Sequence, residues 1–360
     1  MSCRSSRTQQ QRRGVERRQR AAEVGGRLDS GDHGIALMEE KVKAGDLPRA
    51  EKKGTVRSGE VFRSYEHHIL SFLREGNYGQ PLKVAVDASN GMGTIDRPIL
   101  EAMGIQLIPL YFELDGSFPN HEANPLVEEN LLDLMRAVRE GEADLGIIFD
   151  GDADRAAFID ETGTPIGSDL ITGLIAGVLL EREPGKAVLY DLRSSRAVHE
   201  YIEEKGGIPV RERVGHSFMK ATLRKRDGLF GGELAGHYYF RDHSYADCPL
   251  LAVVEVLNLM REKGQLLSEL IRPLQRYHKS HEINFQVADK QGKMDELARR
   301  YADAEIDYLD GITISYPDWW ANVRPSNTEP FLRLVLEAKT GAELERRKGE
   351  LFEILGEPAE

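Results

Sequence analysis

The chain has 360 residues, 40% of them hydrophobic and 30% charged, and 48 basic against 60 acidic side chains leave a formal net charge of −12. That length supports two to four domains with cores of their own, and the acidic balance speaks against a general nucleic-acid binder. Only Cys3 and Cys248 occur, so there is no disulfide framework and a reducing cytoplasm is expected, while the longest apolar stretch, around Leu170 to Leu180, is too short for a bilayer.

The amino terminus, MSCRSSRTQQQRRGVERRQR, carries seven arginines and one acid. It reads as a polar tail, with a basic arm or a transit-like peptide as the competing readings. From Leu82 the pattern becomes regular. Lys83 to Asp87 is a strand that enters a glycine-bearing turn, Ala88 to Gly93, and then a helix to Met103. Gln106 to Phe112 reads as the next strand, Val127 to Glu140 has helical spacing, and Leu145 to Phe149 is a buried strand. Such alternation is that of parallel α/β units.

A hairpin, Ala156 to Asp160 and Thr164 to Ile166, follows, and then the cycle restarts. Helices at 169–181, 195–205 and 218–225 alternate with strands at 187–191 and 208–214. Strand segments around 229–234 and 238–240 lead to a long helix from Pro249 to Lys263. The last part mixes strands at 283–287, 313–316 and 331–337 with helices at 294–304 and 342–355, in the manner of a small α+β domain joined through Arg272 to Ser280.

Between the strand ending at Phe149 and the hairpin stands FDGDADR. In extended backbone its alternate aspartates, Asp150, Asp152 and Asp154, point the same way. Three converging carboxylates repel one another unless a cation sits among them. A solvated acidic turn is the plainer alternative, but ligand sites of open α/β sheets lie beyond the carboxyl ends of buried strands such as this one. Glu161 at the twelfth position imitates a calcium loop of the EF-hand kind, yet Arg155 occupies the sixth position, where that loop needs glycine, and the flanks read as strands. Carboxylates beside an arginine suit magnesium shared with a phosphate.

Three further stretches carry chemistry. In GGELAGHYYF, 231–240, Glu233 suits a vicinal diol and His237 a sugar hydroxyl or a proton; a glycine-rich hairpin with a satisfied histidine is the competing reading. VGHSFMK, 214–220, sets His216 and Lys220 at one helix end with Ser217 as the expected N-cap. RPSNTEP, 324–330, offers the Arg324 fork with Ser326, Asn327 and Thr328 as a phosphate cradle, or an ordinary turn. Arg193 and Arg196 end another strand and read equally well as surface charges.

Together F-D-G-D-A-D-R, G-E-L-A-G-H and R-P-S-N-T-E-P, in this order from about Ser64 onward, resemble the α-D-phosphohexomutases, most closely the phosphomannomutase/phosphoglucomutase branch. The resemblance implies an α/β fold: tandem three-layer α/β domains with mixed sheets, followed by a smaller α+β C-terminal domain. It implies residues 61–165 as a second domain with the metal loop, 166–276 as a third with the sugar loop, and 277–360 as a fourth with the phosphate loop. It also implies an isomerase that interconverts hexose 1- and 6-phosphates through a bisphosphate, with Mg2+ on Asp150, Asp152 and Asp154, and Arg155 beside them. Glu233, His216 and Lys220 would bind sugar, His237 would move a proton, and Arg324, Ser326, Asn327 and Thr328 would hold the non-reacting phosphate. Hexose 1,6-bisphosphate is the implied activator, a phosphosugar the implied partner, and a monomer the expected state.

Two departures stand out. The family's sugar loop usually has serine where Ala235 stands. The family's phosphoserine loop, T-A-S-H-N-P-x-x-Y-N-G-x-K, is matched only by laying Arg4 to Glu16 upon it, which puts Ser6 on the phosphoserine and Gly14 on the glycine but replaces the histidine, asparagine, proline, tyrosine and lysine. Residues 1–60 are therefore expected to be a poorly ordered remnant of the first domain. Catalysis is expected to be impaired by truncation, with a non-catalytic phosphosugar-binding protein as the alternative.

Overall fold

The computed structural model describes residues 36–45, 51–76, 79–326 and 330–359. The chain divides into two compact units, Met1–Glu60 and Val61–Glu360. In the first, the described residues hold one helix, Ala36–Ala44. Ser6 and the remainder of the segment aligned with the phosphoserine loop lie outside the described residues, as do Asn327 and Thr328.

The second unit contains three sheets. β1 (Lys83–Asp87), β2 (Gln106–Leu110), β3 (Leu145–Phe149), β4 (Ala156–Asp160) and β5 (Pro165–Ile166) form the first, in the order β2-β1-β3-β4-β5. β1 runs parallel to β2 and β3, whereas β4 and β5 fold back antiparallel. Every residue of β3 is buried. That is why Leu145-Gly146-Ile147-Ile148-Phe149 is apolar without alternation: both of its faces are covered. Phe149 and Phe158, fully buried on neighbouring strands, each contribute about 1.5–3 kcal/mol by leaving water.

The second sheet repeats the plan. β6 (Ala187–Asp191), β7 (Ile208–Glu212), β8 (Phe230–Gly232), β9 (Tyr238–Phe240) and β10 (Ala246–Asp247) take the order β10-β9-β8-β6-β7. β6 is parallel to β7 and β8, with β9 and β10 added antiparallel. The two sheets share one hydrophobic core. Its centre includes the helices Ser168–Arg182 and Pro249–Lys263, in which 11 and 12 residues respectively are buried. A helix so apolar on all sides has to lie inside. By contrast, Leu132–Gly141 buries Leu134 and Val138, one turn apart, and leaves its charged face in water.

The third sheet is antiparallel and has a core of its own. β11 (His278–Lys279), β12 (Ile283–Gln286), β13 (Glu305–Asp307), β14 (Ile312–Ser315), β15 (Trp319–Pro325) and β16 (Phe331–Ala338) build it around the long β15–β16 pair, covered by the helices Lys290–Arg300 and Gly341–Leu355. The expected α/β architecture with mixed sheets and a smaller α+β end is thus present. Among the described residues, no helix is long and apolar enough to cross a membrane.

Several local expectations are corrected. β15 was not expected at all. The helix expected at 294–304 occupies Lys290–Arg300, because the Asp289 carboxylate caps it by accepting from the Gly292 N–H at 2.8 Å; it ends at Arg300, and the strand 305–307 that pairs with β14 follows. Ser217 is not an N-cap: the helix His216–Arg226 starts two residues earlier than expected, from Gly215 at φ 135°.

Candidate functional site

β3 delivers the acidic loop. Asp150, just past its end and 2% exposed, accepts from the backbone N–H groups of Asp154 and Arg155 at 3.1 Å each and from Arg155 Nε at 2.6 Å. Ala153 in the left-handed region (φ 58°) turns the chain so that Asp150, Asp152 and Asp154 each place a carboxylate oxygen within 4.8 Å of the others. Strands flank this loop on both sides, which removes the EF-hand reading. Burial, then the Asp150 and Asp152 charges, push the Asp154 carboxyl up to about 7. The turn after β1 closes over the loop: Met92 N–H donates to the Gly151 carbonyl at 2.9 Å, and a Cβ on Gly91 would meet that oxygen at 2.6 Å. Only glycine fits there.

The stretch between β8 and β9 is stitched onto this loop. Ala156 N–H donates to the Gly236 carbonyl at 3.0 Å, and His237 Nδ1 lies 3.1 Å from the Asp154 carbonyl. Gly236 has φ 92° and a Cβ there would meet Ala156 O at 2.7 Å, which explains the glycine before His237. Burial first, and then the neighbouring His216, push His237 down to about 3, so the ring is neutral at ordinary pH. His216 sits with its ring centroid 4.0 Å from that of His237. Its Nδ1 is 3.0 Å from Asp247, whose other oxygen takes Lys220 Nζ at 2.6 Å. The hydrogen bond to Asp247 raises His216, while burial alone would lower it.

Glu233, 2% exposed, accepts from Tyr239 OH at 2.5 Å, and burial together with the Asp191 charge raises its carboxyl. The loop behind it hangs on Asp191 at the end of β6: Leu234 N–H donates to Asp191 Oδ2 at 2.8 Å. Asp191 also receives Arg193 Nη2 at 2.6 Å. Arg193 reaches Glu282 at 3.4 Å, and Glu282 in turn gathers Arg324 Nη2 at 2.9 Å and Arg333 Nη1 at 3.1 Å. Burial works to raise the Glu282 carboxyl, but the three guanidinium groups overcome it and hold it below its usual range. A line of hydrogen bonds and ion pairs therefore runs from the backbone just past Glu233, through Asp191, Arg193 and Glu282, to Arg324.

The structure thus brings together the acidic loop, Arg155, His237, His216, Lys220 and Glu233, and it sets Arg324, 3% exposed on β15, at the far end beside Ser326. Arg196 is elsewhere: it donates to the Pro317 and Tyr316 carbonyls and clamps the β14–β15 hairpin. Asp191, Asp247, Glu282 and Tyr239 were not singled out from sequence. Asp191 closes an apolar strand as Asp87 does, a recurrence that marks it; the other three offer no such signal.

Comparison with known proteins identifies the family to which these domains belong. Family models for phosphoglucomutase/phosphomannomutase match consecutively: alpha/beta/alpha domain II over residues 63–163, alpha/beta/alpha domain III over 167–277, and the C-terminal domain over 282–354. A phosphomannomutase of Methanocaldococcus jannaschii is 42% identical over 71% of this chain and 57% of its own length, so the chain spans little more than half of that relative. Phosphohexose mutases of Xanthomonas campestris pv. campestris (strain B100) are 35% identical over 91% of this chain and 74% of theirs. Among solved structures, a phosphoglucomutase/phosphomannomutase family protein from Burkholderia thailandensis superposes with a TM-score of 0.83 at 30% identity, covering 92% of this chain and 71% of that one. From its sheets to its sequence identities, this chain belongs to the phosphoglucomutase/phosphomannomutase family.

Proposed function

We propose that the chain forms a phosphohexomutase-type site, in which a hexose phosphate lies between the acidic loop and the arginine cluster. The observation that carries this reading is the succession of polar and charged groups from Asp150 past His237 and Glu233 to Arg324. It pairs a cation-seeking end with an anion-seeking one. Residues 61–165, 166–276 and 277–360 then act as the family's second, third and fourth domains, and 1–60 as a remnant of its first.

The donor set of the acidic loop fits magnesium: three carboxylates converge, and burial, with the Asp150 and Asp152 charges adding to it, raises the Asp154 carboxyl. Asp150, Asp152 and Asp154 would hold the ion, which when bound neutralises charge on a transferring phosphoryl group. Arg155, fixed by Asp150, adds positive charge at the same place. Glu233 accepts hydrogen bonds from vicinal sugar hydroxyls, and Tyr239 orients it. His237 is neutral and can take a proton from a hydroxyl. His216 and Lys220, tethered by Asp247, line the same approach. Arg324, with Ser326 and the adjoining Asn327 and Thr328, binds the non-reacting phosphate and fixes the sugar's position.

Replacing Arg324 by alanine is expected to cost about 1.5–3 kcal/mol of affinity for glucose 6-phosphate or mannose 6-phosphate, the worth of a charge-assisted contact. Calorimetric titration reads this directly, and a loss of less than about threefold would place the phosphate elsewhere.

The replacements between Arg4 and Glu16 favour impaired transfer, and with it the second reading of a phosphosugar-binding protein without turnover. The 360-residue chain, assayed with magnesium and glucose 1,6-bisphosphate, is expected to interconvert 1- and 6-phosphosugars hardly above background. Robust turnover lost in Ser6→Ala would make Ser6 the phosphoryl carrier and remove the binding-only reading. Robust turnover that survives Ser6→Ala would assign the carrier to another residue.

A further inference from the structure

Beside the three-carboxylate loop lies a second cluster of different chemistry. Asp154, His216, His237 and Asp247 each offer a ligand atom, and these atoms lie within 4.8 Å of one another. His216 Nδ1 is 3.0 Å from Asp247 Oδ2, and His237 Nδ1 is 3.7 Å both from that oxygen and from Asp154 Oδ1. Bonds of about 2.0–2.1 Å to zinc, arranged tetrahedrally, put neighbouring ligand atoms roughly 3.3 Å apart. The observed separations bracket that value. Four donors from β10, from the helix His216–Arg226 and from two separate loops thus lie close enough together to enclose an ion after side-chain adjustment.

We propose that Asp154, His216, His237 and Asp247 form a second metal site, selective for a divalent ion of the zinc class. Two imidazoles and two carboxylates are a borderline-soft donor set, suited to zinc or cobalt and poor for magnesium, which prefers oxygen alone. The adjoining all-oxygen loop has the opposite preference. Asp154 belongs to both sets, and its two oxygens allow it to face both ions.

The surroundings already prepare these ligands. Lys220 binds Asp247 through Oδ1 and leaves Oδ2 for the ion. Arg155 Nε lies 3.9 Å from Asp154 but is engaged at 2.6 Å by Asp150. The Tyr239 ring stands 6.1 Å from that of His216 and 6.4 Å from that of His237, walling one side. His216, with 41% of its side chain exposed, leaves the cluster open to solvent. On binding, His237 gives up its contact with the Asp154 carbonyl and carries its single proton on Nε2, while the proton shared by His216 and Asp247 passes to solvent. With its single proton moved to Nε2, His237 can no longer take a proton from a sugar hydroxyl there, so zinc acts as an inhibitor. That consequence rests on the mutase reading; the metal site does not.

The test is titration of the whole chain with Zn2+ in saturating Mg2+, followed by calorimetry, with Co2+ absorption in the visible as the report of tetrahedral coordination. One equivalent is expected to bind. His216→Ala and Asp247→Asn should each weaken it at least about tenfold, since losing even a group that only orients a metal ligand typically costs about 10–100-fold, and should remove the cobalt spectrum. Asp152→Asn, which removes a carboxylate of the acidic loop but none of the four proposed zinc ligands, should leave both. Failure of the parent to bind zinc, or binding unaffected in His216→Ala, overturns the proposal. So does binding lost in Asp152→Asn and kept in His216→Ala, which would put zinc in the carboxylate loop. Circular dichroism of each variant separates loss of the site from loss of the fold. Because no turnover is read, a negative result leaves the mutase reading standing, and absence of turnover leaves the zinc site standing.

Discussion

Asp191→Ala is expected to lower the stability of the second unit by about 3–5 kcal/mol, the range for breaking a buried ion pair from one side. Asp191 is 0% and Arg193 4% exposed. The carboxylate accepts from the Arg193 backbone N–H at 2.8 Å, from its Nε at 3.2 Å and Nη2 at 2.6 Å, and from Leu234 N–H at 2.8 Å. Burial by itself would raise this carboxyl, but the charge and hydrogen bonds of Arg193 overcome that and hold it low. Alanine leaves a buried guanidinium with Glu282 alone, at 3.4 Å, and strands two backbone donors. Asp191→Asn keeps one acceptor and the shape, so it should cost less than alanine. The loss should also appear at the site, since the Leu234 bond anchors the chain just past Glu233. Urea unfolding of the three proteins measures the order, and equal stability of parent and alanine variant would mean that Arg193 is held by its other contacts.

What was legible in the sequence follows the range of the interactions. β3 announced itself because five consecutive apolar residues need burial on both faces, and the acidic loop because its alternation with a strand before it is local. β15 was hidden because Asn322 and Arg324 interrupt it with groups that only the folded chain satisfies. Asn322 Nδ2 donates to the Asp310 carbonyl at 3.0 Å, and Arg324 finds Glu282, 42 positions away. Asp247 escaped notice for the same reason: its partners, His216 and Lys220, lie some thirty residues earlier on another element. A lone acid carries no sign of the cation it will meet. Glycines, by contrast, were legible as pivots, and Gly91 and Gly236 prove to be points where two backbones touch. The recognition motifs marked where ligands go, while the acids that hold those motifs in place became visible only with the fold.

Asp96→Asn is expected to stabilise the protein increasingly as pH rises from about 4 to 7, with the full effect above about pH 7. Asp96 precedes the helix Arg97–Ala102, is 6% exposed, and its side chain makes no capping hydrogen bond. Burial pushes its carboxyl from an ordinary 3.8 up to about 7. The folded state therefore holds a proton there that the unfolded chain has already released between about pH 4 and 7. Stability contributed at this position is complete below pH 4, falls as pH rises through that window, and is gone above 7, where folding must bury the charge. A difference of about three units, at roughly 1.4 kcal/mol each, sets an upper magnitude of about 4 kcal/mol. Asparagine has no charge to bury, although its amide still carries a desolvation cost of about 1–3 kcal/mol if it finds no partner. The neighbourhood should respond as well, because the Asp96 charge adds to the burial that raises Tyr65 and that pushes the Cys248 thiol up to about 12. Urea midpoints of parent and variant at pH 5 and pH 8 measure the effect. The advantage of asparagine should grow by on the order of 2–3 kcal/mol between the two, as the parent loses its buried proton. A difference that stays constant with pH would show that Asp96 is ionised throughout and compensated by a partner.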